Sequence, residues 1–403
     1  MPSKILVVED SYAFRNFLTR NLTQHGCEVH IAETYAQAKV MLEQNSDYLC
    51  TVLDYCLPDA QDGEVIDLAL KAKQRVIVVT ATYRQSARDH FIEQGVLDYI
   101  IKDSDAAIHD LLSMITRLEK NGAHHALVVD DSEFIRKSLS QVLSHQYIRT
   151  TVACDGNEAL EKLAQHPDIT FAITDHSMPN LDGLSLVRQI RRKHDRNTLP
   201  ILGLSGSEDR TLTSQFLKAG ANDFLYIPFN QEELNCRIHY ILGMIEANET
   251  LYRLANQDEL TGLWNRRYLF NQAKTLSDSV CVSMIDIDHF KKVNDNYGHD
   301  CGDLVIKTIA KILAFHFDDA CVARMGGEEF CILYEGDFNQ FIATLEKMRL
   351  RIEAMTIPYY QNVLQVTISL GATNQIGNLE EKLLIADDYL YEAKQQGRNQ
   401  LKR

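Results

Sequence analysis

KILVVEDS, Lys4 to Ser11, returns as HALVVDDS, His125 to Ser132, and this recurrence decides how the N-terminal part of the chain is read. The offset of 121 residues also carries Asp54 onto Asp175 and Pro58 onto Pro179. Thr80, Gly95, Asp98 and Tyr99 fall on Ser205, Gly220, Asp223 and Phe224 at an offset of 125. A period this long exceeds any solenoid repeat, so the pattern is a duplicated domain. Within each copy, short apolar runs such as ILVV, YLCTVLD and RVIVVT alternate with stretches of helical period, among them Phe14, Leu18 and Leu22. That alternation predicts an α/β fold, a doubly wound, flavodoxin-like parallel sheet with helices on both faces. Ligands of such sheets gather at the carboxyl ends of the strands, where acids stand: Glu9 and Asp10 after the first strand, Asp54 after the third.

Beyond the repeats, Gln231 to about Gln257 reads as one long helix, with Leu234, Ile238, Ile241 and Ile245 spaced 4, 3 and 4 apart. The spacing serves equally a final helix packed on its own sheet and a link to a third unit. CVSMIDID, VARMGGEEFCILY and LQVTISLGA then read as strands, with Gly326-Gly327 as a tight hairpin turn. The expected units are 1-118, 124-243, a helical linker at 244-257, and an α/β unit at 258-403.

With 403 residues, 45% hydrophobic and 24% charged, the chain is of ordinary globular composition and long enough for two to three domains. Its formal charge of -15 is the wrong sign for gripping nucleic acid, and no DNA-binding segment is recognisable. The opening MPSKILVVED is neither a signal peptide nor a membrane span, and nine cysteines without a C-x-x-C pair suit reduced thiols. A cytoplasmic protein without membrane insertion is therefore expected.

Glu9, Asp10 and Asp54 would repel one another without a cation such as Mg²⁺ between them, and that ion could neutralise an incoming phosphoryl group. Thr80 and Lys102, ending the following strands, offer a hydroxyl and an ammonium to phosphoryl oxygens. VVED, LDYCLPD, VTA and YIIK together resemble the receiver domain of two-component response regulators. The resemblance implies Asp54 as phosphoacceptor, Glu9, Asp10 and Asp54 as Mg²⁺ ligands, Thr80 and Tyr99 as switch pair, and Lys102 on the phosphoryl group. Asp103 departs from the family's usual Pro. The second copy resembles the same family through Asp130, Asp131, Asp175 and Ser205, but Ile227 stands where Lys102 would be, so it is expected to be a degenerate adaptor. The implied partner is an upstream histidine kinase or phosphotransfer protein.

In the third unit, Asp286 at a strand end and Glu328-Glu329 after the Gly-Gly turn supply carboxylates for Mg²⁺, and the glycines let a phosphate chain approach the backbone. Lys291, Lys394 and Arg398 are candidate cations for a triphosphate, and Asn294 with Asp303 suits the edge of guanine. MIDIDHFKKVNDNYGHDCGD, RMGGEEF, DELTGLWNRR and AKQQGRN together resemble the GGDEF family of diguanylate cyclases. The resemblance implies that two GTP molecules become cyclic di-GMP and two diphosphates between facing protomers of a homodimer. It also implies metal binding by Asp286, the Ile287 carbonyl, Glu328 and Glu329, with Glu328 as base, guanine reading by Asn294 and Asp303, and phosphate holding by Lys291, Lys394 and Arg398. Many members carry R-x-x-D upstream of the turn as a product-inhibition site; here the stretch is Phe317-Asp318-Asp319-Ala320, so feedback is expected to be weak. No phosphodiesterase signature follows, so the output is expected from this unit. The alternative from another class is a non-enzymatic signalling adaptor with a nucleotide-binding third unit, against which the intact carboxylates count.

Overall fold

The computed structural model describes residues 2–45, 47–81, 85–102, 105–207, 209, 211–276 and 279–403. Asp103 lies outside them. The chain divides into two compact units, Met1–Asn248 and Glu249–Arg403.

The first unit holds both repeats. The first repeat runs β1 (Lys4–Val8), α1 (Tyr12–Gln24), β2 (Glu28–Ala32), α2 (Tyr35–Gln44), β3 (Cys50–Leu53), α3 (Glu64–Lys71), β4 (Val76–Thr80), α4 (Gln85–Glu93), β5 (Asp98–Ile101) and α5 (Asp105–Asn121). Its strands form a parallel sheet in the order β2-β1-β3-β4-β5. Because strand side chains alternate, Ile5 and Val7 pack with Leu18, Leu22, Leu111 and Ile115 of α1 and α5. Leu6 and Val8 pack on the opposite face with Ala38, Val65, Ile66 and Phe91 of α2, α3 and α4. Burial on both faces explains why the strands read as continuous apolar runs.

The second repeat follows as β6 (His125–Val129), α6 (Glu133–His145), β7 (Arg149–Ala153), α7 (Gly156–Gln165), β8 (Phe171–Asp175), α8 (Gly183–Ile190), β9 (Ile201–Ser205), α9 (Leu212–Ala219), β10 (Asp223–Tyr226) and α10 (Gln231–Asn256). Its strand order, β10-β9-β8-β6-β7, is the same topology read from the other edge. The serine closing the quoted motif has the same task in both copies: Ser11 and Ser132 are N-caps, their hydroxyls accepting from the backbone N–H of Phe14 and Ile135. Leu234, Ile238, Ile241, Leu242 and Ile245 bury the first turns of α10 on this sheet. Leu251 and Leu254, further along, are exposed.

The two repeats meet through polar contacts. The Arg75 guanidinium lies 3.5 Å over the Tyr147 ring, and its Nε donates to the His145 carbonyl at 2.7 Å. Tyr147 Oη donates to the Leu49 carbonyl at 2.9 Å, and Asn121 Nδ2 to the Gln146 carbonyl at 2.9 Å.

The second unit continues with β11 (Trp264–Asn265), α11 (Arg266–Ala273), β12 (Cys281–Ile287), α12 (Phe290–Tyr297), α13 (His299–His316), β13 (Cys321–Gly326), β14 (Glu329–Tyr334), α14 (Phe338–Ala354), β15 (Ile357–Tyr359), β16 (Asn362–Leu364), β17 (Ile368–Thr373), α15 (Leu379–Gln395) and β18 (Leu401–Lys402). Its main sheet is mixed, β11-β13-β14-β12-β17-β18, with β12 antiparallel to both β14 and β17. Ile285 and Ile287 face α13 and α14, and Val282 and Met284 face α11 and α15. The stretch LQVTISLGA is interrupted: only Ile368–Thr373 joins this sheet, while Leu364 ends the small β15–β16 hairpin.

Candidate functional site

In the first repeat, β1 and β3 are neighbouring parallel strands, so the residues after them reach one edge of the sheet. Ligand oxygens of Glu9, Asp10 and Asp54 lie within 4.8 Å of one another. Lys102, immediately after β5, places Nζ 2.6 Å from Glu9 Oε2 and 2.7 Å from Asp54 Oδ2. Burial pushes the Glu9 carboxyl up, and the Lys102 ammonium opposes that shift. Carboxylate oxygens alone suit a hard divalent ion such as Mg²⁺, and the half-buried charge they gather favours one. Thr80 ends β4, and Tyr99 lies within β5, both buried.

In the second repeat, Asp130 and Asp175 occupy the matching buried strand ends. Burial, with Asp175 and Asp131 nearby, pushes the Asp130 carboxyl up to about 6. Its Oδ1 accepts from the Ser132 N–H at 2.8 Å, while its buried Oδ2 has no protein partner. Ser205 ends β9, buried like Thr80. Ile227 packs against the apolar cluster of β6, β8 and α10, so no ammonium at that position faces the acids.

In the second unit, antiparallel pairing sets Asp286 of β12 directly opposite Glu329 of β14. Glu328 is held between them and the turn by two glycines with positive φ, Gly326 at 149° and Gly327 at 53°. A side chain would strain Gly327, whose left-handed conformation lets the chain reverse here. Arg324 steadies the turn: Nε donates to the Gly327 carbonyl at 2.9 Å, and Nη1 to Asp258 Oδ1 and Oδ2 at 3.0 and 3.1 Å. Burial pushes the Asp286 carboxyl up, Lys394 opposes that, and Glu328 and Glu329 add to it. Lys394 Nζ is 2.7 Å from Asp286 Oδ2, so this cation sits on the Asp286 carboxylate itself. Ile287 is the next residue of β12, and its carbonyl with these carboxylates offers oxygen donors of the kind that suit Mg²⁺, though among the described residues only the first-repeat acids are already drawn together as a cluster. Lys291 and Arg398 are exposed, on α12 and in the turn after α15.

Asn294 on α12 and Asp303 on α13 flank the bend at Gly298, whose φ is 85°. The Asn294 side chain lies against Gly302, where an added Cβ would stand 2.0 Å from Oδ1. That Oδ1 is buried without a protein partner. Asp303 is exposed beside it.

Three further residues position these sites, and the motif reading passed over them. Asp288 is buried, accepting from Thr367 Oγ1 and Ser369 Oγ at 2.7 Å each and from the Asn399 N–H at 3.0 Å. It ties the strand end of Asp286 to the turn that carries Arg398. Arg15 Nη1 donates to the carbonyls of Glu9 and Asp10 at 3.1 and 3.2 Å, and Arg136 Nη1 does the same for Asp130 and Asp131 at 2.6 and 3.0 Å. The repeat offset of 121 that links Arg15 to Arg136 was the available signal.

Comparison with known proteins agrees with this geometry. Residues 5–116 and 126–239, together more than half of the chain, match the response regulator receiver domain, and residues 255–400 match the diguanylate cyclase GGDEF domain. Response regulator PleD of Caulobacter vibrioides is 29% identical over 99% of this chain and 98% of its own length. Diguanylate cyclase VdcA of Vibrio cholerae is 37% identical, over 43% of this chain and 54% of its own. A solved two-component response regulator/GGDEF domain protein is 38% identical, covering 60% of this chain and 99% of that one with a TM-score of 0.54. Among the described residues no helix is long and apolar enough to cross a membrane. With a duplicated parallel sheet bearing acids at its strand ends and Asp286 paired with Glu329 beside a Gly-Gly turn, the matches place the chain in the response regulator family, as a two-receiver member with a GGDEF diguanylate cyclase domain.

Proposed function

We propose that the chain converts two GTP to cyclic di-GMP and two diphosphates under the control of phosphorylation at Asp54. The observation that carries the reading is the in-register pairing of Asp286 on β12 with Glu329 on β14, beside the β13–β14 glycine turn that presents Glu328. Asn294 and Asp303 receive guanine, one donating from its Nδ2 to O6 or N7 and the other offering a carboxylate to N1–H and the exocyclic amine. Lys291 and Arg398 hold the phosphate chain, and Lys394 shifts between Asp286 and the phosphates. Asp286, the Ile287 carbonyl, Glu328 and Glu329 hold Mg²⁺, which when bound supplies charge neutralisation at the α-phosphate. Glu328 takes the proton of the 3′-hydroxyl as its oxygen bonds to the partner GTP's α-phosphorus and diphosphate leaves. Each protomer holds one GTP, so a homodimer with facing sites is required.

The first repeat, 1-118, acts as the receiver. Glu9, Asp10 and Asp54 hold Mg²⁺; Asp54 accepts the phosphoryl group from an upstream kinase or phosphotransfer protein. Lys102 moves onto its oxygens, and Thr80 and Tyr99 follow. The second repeat, 124-243, is the adaptor, and 244-257 connects it to the cyclase.

The test is product formation from Mg²⁺-GTP with and without beryllofluoride, with light scattering to follow oligomeric state. Turnover should rise with dimerisation, and Glu328→Gln should lose at least a hundredfold in kcat while circular dichroism stays unchanged. Absence of cyclic di-GMP in every state would sink the reading.

A further inference from the structure

The long helix α10 belongs to the second repeat by sequence, yet the first repeat holds it at two points. Arg88 of α4 pairs with both carboxylate oxygens of Glu232 in its first turn. Fourteen residues on, Glu246 receives Arg117 of α5, with Lys120 Nζ at 3.3 Å and His124 Nε2 at 3.4 Å. Those points are about 21 Å apart along the helix. The helices that supply the arginines are the ones that follow β4 and β5, the strands bearing Thr80, Tyr99 and Lys102.

Glu246 differs from an ordinary surface acid in two respects. It is largely buried, 21% exposed, with three basic side chains converging on one carboxylate. It also lies at the end of the receiver unit, two residues before Asn248, with α10 running on to Asn256. Screening by salt is weak for a half-buried cluster, and removing one member leaves the others uncompensated.

We propose that Glu246 is a positioning residue through which the first receiver restrains α10, so that this cluster carries the state of Asp54 to the helix leading into the cyclase. The proposal rests on the reading that Asp54 controls turnover. It makes the arrangement described here, with Lys102 still on Asp54, the restrained one.

The experiment compares wild type, Glu246→Gln, Arg117→Gln and the double variant carrying both, all as full-length protein. Each is assayed for Mg²⁺-GTP turnover with and without beryllofluoride, and for hydrogen exchange of the amides from Tyr240 to Thr250. Either single variant should raise unstimulated turnover about fivefold or more, shrink the stimulation ratio by the same factor, and speed exchange in this stretch. The double variant should match Glu246→Gln rather than add to it, an outcome that two independent destabilisations cannot produce. Unchanged basal turnover and ratio in Glu246→Gln, or additive effects in the double variant, would overturn the proposal. If beryllofluoride fails to stimulate wild type, the control reading fails by itself, and the exchange data still decide: unaltered protection in Glu246→Gln removes the restraint.

Discussion

Gly302 shows how one missing side chain determines a binding residue. Its Cα lies so close to Asn294 that a methyl group would meet Oδ1 at 2.0 Å, well inside contact distance. Gly302→Ala must therefore displace the amide, and because the helix accepts alanine better than glycine, the fold should not suffer. The expected outcome is a rise in KM for GTP of tenfold or more with an unchanged thermal midpoint; an unaltered KM would remove Asn294 from guanine recognition. At this scale the sequence spoke clearly wherever a motif fixed both residue type and spacing, as for Asp54, Lys102, Asp286 and the Gly-Gly turn. Asp288 and Arg324 were illegible for a shared reason, and Arg15 could be found only through its repeat partner Arg136. The partners of Asp288 and Arg324 are backbone groups or residues distant in sequence, such as Asn399 and Asp258, so only the folded chain brings them together.

Among the elements, the end of α13 supports the expectation of weak product feedback through the upstream stretch. Phe317 closes this helix and is buried against Tyr334 and Phe341, with ring centroids 6.4 and 5.6 Å away. An arginine there would bring a guanidinium into an aromatic cluster, so the position has become core, while Asp318 and Asp319 face solvent. Cyclic di-GMP added to the purified enzyme should therefore inhibit only in competition with GTP; potent non-competitive inhibition would contradict this. The helix α10 makes a second element-scale prediction. His239 Nε2 donates to Gln146 Oε1 at 2.6 Å, and burial, with Arg117 nearby, lowers its pKa to about 4. Its folded value lies below the unfolded one near 6.5, so the unfolded chain takes up the proton first and stability falls as pH drops from 6.5 toward 4. The loss is on the order of 2 kcal/mol. His239→Gln keeps an amide for Gln146 without titrating. Urea unfolding of the full chain, followed by far-ultraviolet circular dichroism, should show a flatter profile for the variant between pH 6.5 and 4.5. Periodicity had made α10 legible as a helix, but not its partners, because polar contacts between repeats leave no period behind.

For the whole molecule, the two repeats share a fold, and at the acidic strand ends they differ in charge where Lys102 is matched by Ile227. In the first, Lys102 bridges Glu9 and Asp54; in the second, Ile227 lies in the apolar cluster and Asp130 keeps an unpartnered oxygen. A phosphoryl group on Asp175 would turn one negative charge into about two beside buried acids, with Ile227 where the first repeat has its ammonium. On Asp54 the same charge meets Lys102, so the energetic difference between phosphorylated and free states is expected to be larger in the first copy. A ligand shifts a conformational equilibrium only by its differential affinity for the two states, and on this reading the first receiver provides it. Asp54→Asn should abolish stimulation of turnover by beryllofluoride, or by a small phosphodonor, while preserving basal activity. Asp175→Asn should leave the stimulation ratio within about twofold of wild type. The comparison is internally controlled, since both substitutions remove one strand-end carboxylate from the same unit and any general destabilisation would affect both variants. Equal loss of stimulation in both would mean that the second receiver takes part in phosphoryl chemistry despite Ile227, and full stimulation of Asp54→Asn would remove Asp54 as the control point.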